Sequence, residues 1–265
     1  MSNPTIFLSH IHEEADLAIM IKNALEAEFS GFVRVFVSSD GTSITPGEAF
    51  FDKIEHALKE CCASIFLISP QAIDRAWINF ELGAMWMRRL KDPQGADAAK
   101  IPIIPICHSG MTKSGLRRPL GDLQAINAGE ESDLCSAFLR IQEVAKGNGH
   151  LSTNFGSLSG RVREFEQCYT EGKKLSTFFK LSEIPIKEII KLFDEKTQIE
   201  WVTMDDLKVR NEVAAEVEVL AKEFPQEMEL EFTGTGTYAS GIFRTGSFKI
   251  RRGLTIRNRG LLESE

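Results

Sequence analysis

The sequence predicts an α/β protein, a central and mainly parallel sheet flanked by helices, followed by a smaller α+β region. Three observations predict it. Short apolar runs, unbroken in their apolarity as strands buried on both faces are, recur through the first half of the chain. Between them lie stretches of helical period, long enough to cross back over a parallel sheet. After a stretch rich in Gly, Ser, Asn and Thr the pattern changes to helical stretches and then, near the end, to strands joined by glycine turns.

Residues 5–9 read as the first strand. Glu13–Phe29 follows as a helix, with Leu17, Ile21, Ala24 and Leu25 on one face and acids in its first turn, near the positive end of the helix dipole. Val33–Val37 is the second strand. Glu48–Glu60, opening after Pro46-Gly47, is a helix expected to bury Phe51, Ile54, Ala57 and Leu58. Ser64–Ser69 is the third strand, and Pro70–Leu90 is mostly helical. Ile101–Ile106 is the fourth strand; Pro102 and Pro105 lack ladder donors, which places it at or near an edge. Asp133–Lys146 closes the unit. These boundaries predict a first domain over 1–148, a linker over 149–160 and a C-terminal region over 161–265. In that region Arg161–Lys174, Ile186–Phe193 and Asp205–Phe224 read as helices. Met228–Phe232 and Gly246–Ile256 supply two or three strands.

The chain has 265 residues, 43% hydrophobic and 26% charged, the balance of an ordinary globular protein with a sizeable core. A net charge of −7 argues against a general nucleic-acid binder. A basic cluster does occur near the end, at Arg244, Lys249, Arg251, Arg252, Arg257 and Arg259. It reads first as a solvated strand face offsetting acids elsewhere, with a site for a nucleotide or a nucleic acid as the alternative. Cys61, Cys62, Cys107, Cys135 and Cys168 are odd in number and lack paired spacing, so neither a disulfide framework nor a zinc site is indicated; buried free thiols are expected. His56, His108 and His150 show no metal spacing. No apolar run approaches the ~18–20 residues of a membrane helix, and the N-terminus does not read as a signal peptide. The expected location is the cytoplasm.

The third strand runs into Ser69-Pro70-Gln71-Ala72-Ile73-Asp74-Arg75-Ala76-Trp77-Ile78-Asn79-Phe80-Glu81-Leu82. Trp77 and Glu81 are four residues apart and share a helix face. Near the carboxyl end of a strand, such an acid stands where open α/β sheets bind ligands. Partial desolvation there raises its pKa. Upstream stand Ile6-Phe7-Leu8-Ser9-His10, Val33-Arg34-Val35-Phe36-Val37-Ser38 and the loop Asp40-Gly41-Thr42-Ser43-Ile44-Thr45-Pro46-Gly47. In that order, with Trp77-x-x-x-Glu81-Leu82, residues 4–145 resemble a TIR (Toll/interleukin-1 receptor) domain of the bacterial, NAD-cleaving kind. The resemblance implies a flavodoxin-like fold and leaves the C-terminal region unmatched.

The resemblance also implies a chemistry. TIR enzymes cleave the nicotinamide–ribose bond of NAD+, a consumed substrate here and no cofactor, since the chain has neither Gly-x-Gly-x-x-Gly nor a Gly-Lys-Ser/Thr loop. The family's essential Glu carries over onto Glu81, whose carboxylate would offset the charge of an oxocarbenium-like transition state. Trp77 would form a wall for a stacked ring, or brace the core, or both. Ser9 and His10 fall near a ribose or phosphate. Phe36 and Phe50 or Phe51 would line the pocket, though Phe at such positions is often core. Asp40 would touch a ribose, or simply turn the chain before Gly41. Some NAD-cleaving relatives carry basic residues after the first strand where this chain has Ile11 and His12, which weakens charge-based phosphate holding. Ile44, Pro46 and Gly47 fall in the BB loop, through which one protomer helps complete its neighbour's pocket. The implied partners are NAD+, further copies of the chain in an oligomer or filament, and a trigger molecule or protein; the implied setting is antiphage defence. No metal is expected, nor nucleic acid on the TIR part. The alternative is a TIR adaptor that signals by docking without catalysis.

Overall fold

The computed structural model describes residues 3–38, 50–90 and 101–263; of Phe50 and Leu90 it describes the backbone alone. Two compact units divide between Glu166 and Gln167. In the first, β1 (Thr5–Ser9), β2 (Arg34–Val37), β3 (Ala63–Ile68), β4 (Ile103–Cys107) and β5 (Ile126–Asn127) pair in the order β2-β1-β3-β4-β5. Every adjacent pair is parallel. Alternation along each strand divides the apolar residues between two cores. Ile6, Leu8, Ile65 and Leu67 face α1 (Ala15–Glu28), α4 (Glu131–Val144) and the first turns of α5 (Phe155–Ser182). Phe7, Phe66 and Ile68 face α2 (Phe50–Glu60) and α3 (Ala76–Leu90).

The α/β expectation holds, with local differences. β5 went unpredicted because its two residues carry no readable period. It makes β4 the strand next to the edge. Its ladder begins at Ile106, one residue beyond Pro105, so the proline's missing donor interrupts no pairing with β5. Single 3₁₀ turns, His12–Glu14 and Ala72–Asp74, precede α1 and α3. Phe51, expected in the core, is half exposed; it packs sideways on Trp77 and Phe80 of α3 while Ile54, Ala57 and Leu58 face the sheet.

The 149–160 stretch, expected as a linker, is helical from Phe155. Asn154 starts that helix by accepting the Ser157 N–H at 2.9 Å, and Phe155, Leu158 and Val162 enter the first core. Gly149 and Ser152 lie before the helix, with Gly149 at a φ of 115°, whereas Gly156, Ser157, Ser159 and Gly160, which also read as turn formers, fall inside it and only Ser159 of them is buried.

The second unit holds an antiparallel sheet of β6 (Trp201–Arg210), β7 (Met228–Tyr238) and β8 (Gly241–Arg251) in the order β6-β8-β7. With it go α6 (Ile186–Glu195), α7 (Asn211–Lys222), α8 (Arg252–Arg257) and α9 (Arg259–Glu263). Phe178, Phe193, Val217, Phe248, Ile250 and Leu254 are central to its core. Asp205–Arg210, expected to open a helix, belongs to β6: Leu207 and Val209 are buried on alternate positions, and Asp206 takes a left-handed φ of 64° at a bulge. Ile256 lies in α8 rather than a strand.

Gly246 sits where both ladders of β8 shift register, opposite Leu207 and Phe232. A Cβ there would stand 1.9 Å from the Glu231 carbonyl oxygen, a backbone atom that cannot swing aside. Gly246→Ala is therefore expected to destabilise the second unit by roughly 3 kcal/mol or more. Gly260→Ala, in a helix with no atom within 4 Å of the added carbon, should be neutral or slightly stabilising. Urea titrations of the two variants check this contrast.

Candidate functional site

Strand order reverses at β1, so the crevice beyond the carboxyl ends of β1 and β3 is the topological switch point of the sheet. Ser9, the last residue of β1, lies on the same face as Phe7 and so points toward α3. On α3, Ile78, Leu82 and Met85 form the buried stripe, and Glu81 falls on it. Ser9 Oγ donates to Glu81 Oε2 at 2.5 Å. Glu81 is 0% exposed, and its Oε1 has no hydrogen-bond partner among the described residues. Burial pushes its carboxyl group up to about 7; hydrogen bonds from Ser9 and Trp77 pull the other way without cancelling the desolvation. An acid at a core position, half neutral near pH 7 and carrying a spare acceptor, is ready to meet a cation or a proton.

Trp77, one turn before Glu81, is 38% exposed and stacks on Phe80 at 5.4 Å with 27° between planes. Phe51 closes the group edge-on at 6.3 Å from Trp77, and Phe51 and Phe80 are each 50% exposed. The indole thus belongs to a surface aromatic patch while reaching the buried carboxyl group. His10 is buried immediately after Ser9. Phe36 is half-buried and stacks on Phe7 at 5.8 Å, the core role that Phe commonly takes. Asp40, Ile44, Pro46, Gly47 and the Phe50 side chain lie outside the described residues.

A second acid at the same end of the sheet went unnoticed. Glu14 is fully buried; its Oε2 accepts the Ile11 N–H at 3.3 Å and its Oε1 lies 3.3 Å from His108 Nε2. His108 follows β4, where its N–H donates to the Ile68 carbonyl, and its Nδ1 meets Ser109 Oγ at 3.0 Å. The Ser109 N–H donates in turn to Glu166 on α5 at 2.9 Å. The signal was in the sequence: Glu14 precedes Leu17, Ala18 and Ile21 by three, four and seven residues, on the stripe that α1 buries.

The basic cluster is largely accounted for within the second unit. Lys249 pairs with Glu229 at 2.8 Å, and Arg251 pairs with Glu200. Arg257 holds Glu227 at 2.6 Å, and Arg259 holds Asp194 at 2.9 Å. Arg252 donates to the Phe193 carbonyl, and Arg244 lies over the Phe232 ring at 5.2 Å. Offsetting of acids is thus the reading these contacts support. All five cysteines are free, and Cys168 is exposed rather than buried. Among the described residues no cluster of His, Cys, Asp and Glu could hold a metal ion, and no helix is long and apolar enough to cross a membrane.

No curated protein matches the chain in sequence. Among solved structures, the TIR domains in the structure of the activated Roq1 resistosome directly recognizing the pathogen effector XopQ align over 63% of this chain and 82% of that one. The identity there is 10% and the TM-score 0.33. The family profile described as TIR domain matches residues 6–140, from β1 through most of α4, which is just over half of the sequence and includes Ser9, Glu14, Trp77, Glu81 and His108. The five-stranded unit that buries Glu81 is therefore a TIR domain, and the chain belongs to that family.

Proposed function

We propose that the TIR unit cleaves NAD+ at the nicotinamide–ribose bond, with the ionised carboxylate of Glu81 as the catalytic group. The observation that carries this reading is an unpaired carboxyl oxygen at a core position of α3, beside Ser9 at the sheet's switch point. Nicotinamide departs as a neutral base taking the bond's electron pair, and the ribose ring takes up positive charge. Glu81 offsets that charge, Ser9 holds the carboxylate in place, and Trp77 offers a face to one of the rings. Water attacking the ribose carbon gives ADP-ribose and one proton; a nucleophile within the same molecule gives a cyclic isomer instead.

Glu81 has no solvent-accessible surface, so the described state is closed to substrate. Opening the site is then part of activation. Assembly of TIR units, prompted by a trigger acting in the cytoplasm, is our proposal for that step. It suits an enzyme that would otherwise drain a shared coenzyme, and antiphage defence is the setting in which such restraint is useful. The test is nicotinamide release from NAD+, followed by chromatography at low and at crowded protein concentration, for the wild type and Glu81→Ala. Release by the crowded wild type alone is expected, with the variant lower by about a thousandfold. Equal turnover in both proteins, dilute and crowded, would refute the assignment.

The second reading, a docking adaptor without catalysis, draws on the exposed Phe51–Trp77–Phe80 patch, since contiguous apolar surface marks interaction sites. It predicts that Phe51→Ala/Phe80→Ala abolishes self-association while Glu81→Ala changes nothing measurable.

A further inference from the structure

The second unit contains a cavity of about 590 Å³ between the end of α5, the start of α6 and α9. That volume is within the range of small-molecule sites, ~300–1,000 Å³. Phe179, Ile184, Ile186 and Leu262 give it an apolar interior. Three features add polarity of one kind. Lys180 and Lys187 line it, are exposed, and make no ion pair or hydrogen bond among the described residues. The start of α6 lines it at Pro185 without a side-chain cap; Glu188 in the first turn offsets part of the helix's positive end, and Ile186 and Glu188 already donate their N–H groups to the Ile184 and Pro185 carbonyls. Ser176, only 5% exposed, also lines it, and its hydroxyl takes no hydrogen-bond partner among the described residues. Glu188 is the one acid in the lining, so the formal balance there is one positive charge.

We infer that this cavity binds a small amphipathic organic anion: an apolar ring or chain in the interior, with a carboxylate, sulfonate or phosphate held at the mouth by Lys180, Lys187 and the start of α6. The contrast with the basic cluster of the same unit supports the assignment. There all the cations but Arg244, which lies over the Phe232 ring, are matched by acids or carbonyls, whereas these two lysines are unmatched and stand beside apolar surface. The buried Ser176 hydroxyl supplies a hydrogen bond inside an otherwise apolar space, which is how such sites fix a ligand's orientation. The inference is independent of NAD+ cleavage and concerns a different part of the chain.

The full chain should be titrated with 8-anilinonaphthalene-1-sulfonate, an aromatic anion, and with N-phenyl-1-naphthylamine, its uncharged counterpart, both read by fluorescence. A saturable site for the sulfonate is expected, with the uncharged dye weaker. Lys180→Gln/Lys187→Gln should weaken the sulfonate roughly tenfold, the size expected of two part-exposed charge contacts, and leave the uncharged dye unchanged. Because both lysines are exposed, circular dichroism should be identical for the two proteins. Unaltered sulfonate affinity in the double variant, equal loss of both dyes, or absence of saturation would overturn the assignment.

Discussion

Glu81→Gln is expected to abolish nicotinamide release and, at the same time, to stabilise the first unit at pH 8. Burial raises this carboxyl group from its ordinary 4.5 to about 7 in the folded chain. A raised acid favours folding fully below the unfolded value, and the advantage disappears as pH climbs through the folded one. Above pH 7 the wild type therefore carries a buried anion, at a cost of about 3 kcal/mol. Gln is neutral at every pH and still accepts from Ser9, though its amide hydrogens enter a place with few acceptors. The net gain should be about 2 kcal/mol at pH 8, or some 4–8 °C in Tm, shrinking toward nothing or a small loss at pH 4. The catalytic rate should follow the same group with the opposite benefit. Between pH 4.5 and 7 the closed site holds a proton that an opened, substrate-bound site releases, so cleavage should rise across that window and level off above it. Melting curves at pH 4 and pH 8 decide the first half. A variant destabilised equally at both would show that the carboxylate is kept as a structural partner, and the catalytic reading would lose its main support.

How much of this was readable beforehand depended on period and length. β1, β3 and the first helices were readable because runs such as Ile6-Phe7-Leu8 and Ile65-Phe66-Leu67-Ile68 have one interpretation once helical stretches follow them. β5 was not, since two residues have no period. β6 was misread because the bulge at Asp206 breaks its alternation, leaving Leu207 and Val209 to be absorbed into the helix that begins at Asn211. The α5 start was hidden by Gly156, Ser157, Ser159 and Gly160, a composition that reads as a turn although the helix runs through it. At the site, Glu81 and Trp77 stood out through their spacing after a strand's carboxyl end taken together with the resemblance, and Ser9 through its place at the end of the first strand in that resemblance. Glu14 and His108 escaped for different reasons. An acid in a first helical turn has an easy explanation in the dipole, and a lone histidine after a strand has no motif. Their partnership is tertiary, joining residues with three strands of chain between them, and only burial exposes it.

That partnership supports the other large effect. Glu14→Ala should cost the first unit about 3 kcal/mol, lowering its Tm by roughly 6–12 °C. The substitution strips the Ile11 N–H of its acceptor and removes the carboxylate facing His108, and both groups are too deep for water to replace it. Cavity formation alone would also destabilise, so the pair must be tested as a pair. Glu14→Met/His108→Leu fills the space with apolar atoms and leaves no charge or ring nitrogen behind. It should recover more than half of the loss, because replacing both members of a buried polar pair is far less costly than orphaning one. A double variant as unstable as the sum of its singles would mean that the two residues do not act on each other. Activity separates a further role. Ile11 lies two residues beyond Ser9, so the Glu14 acceptor also fixes the course of the chain leaving β1. If that anchoring places Ser9 against Glu81, the double variant should fold well and yet release nicotinamide at least tenfold more slowly, with KM little changed. Full activity in a restored fold would confine Glu14 and His108 to stability and leave Ser9 positioned by the sheet alone.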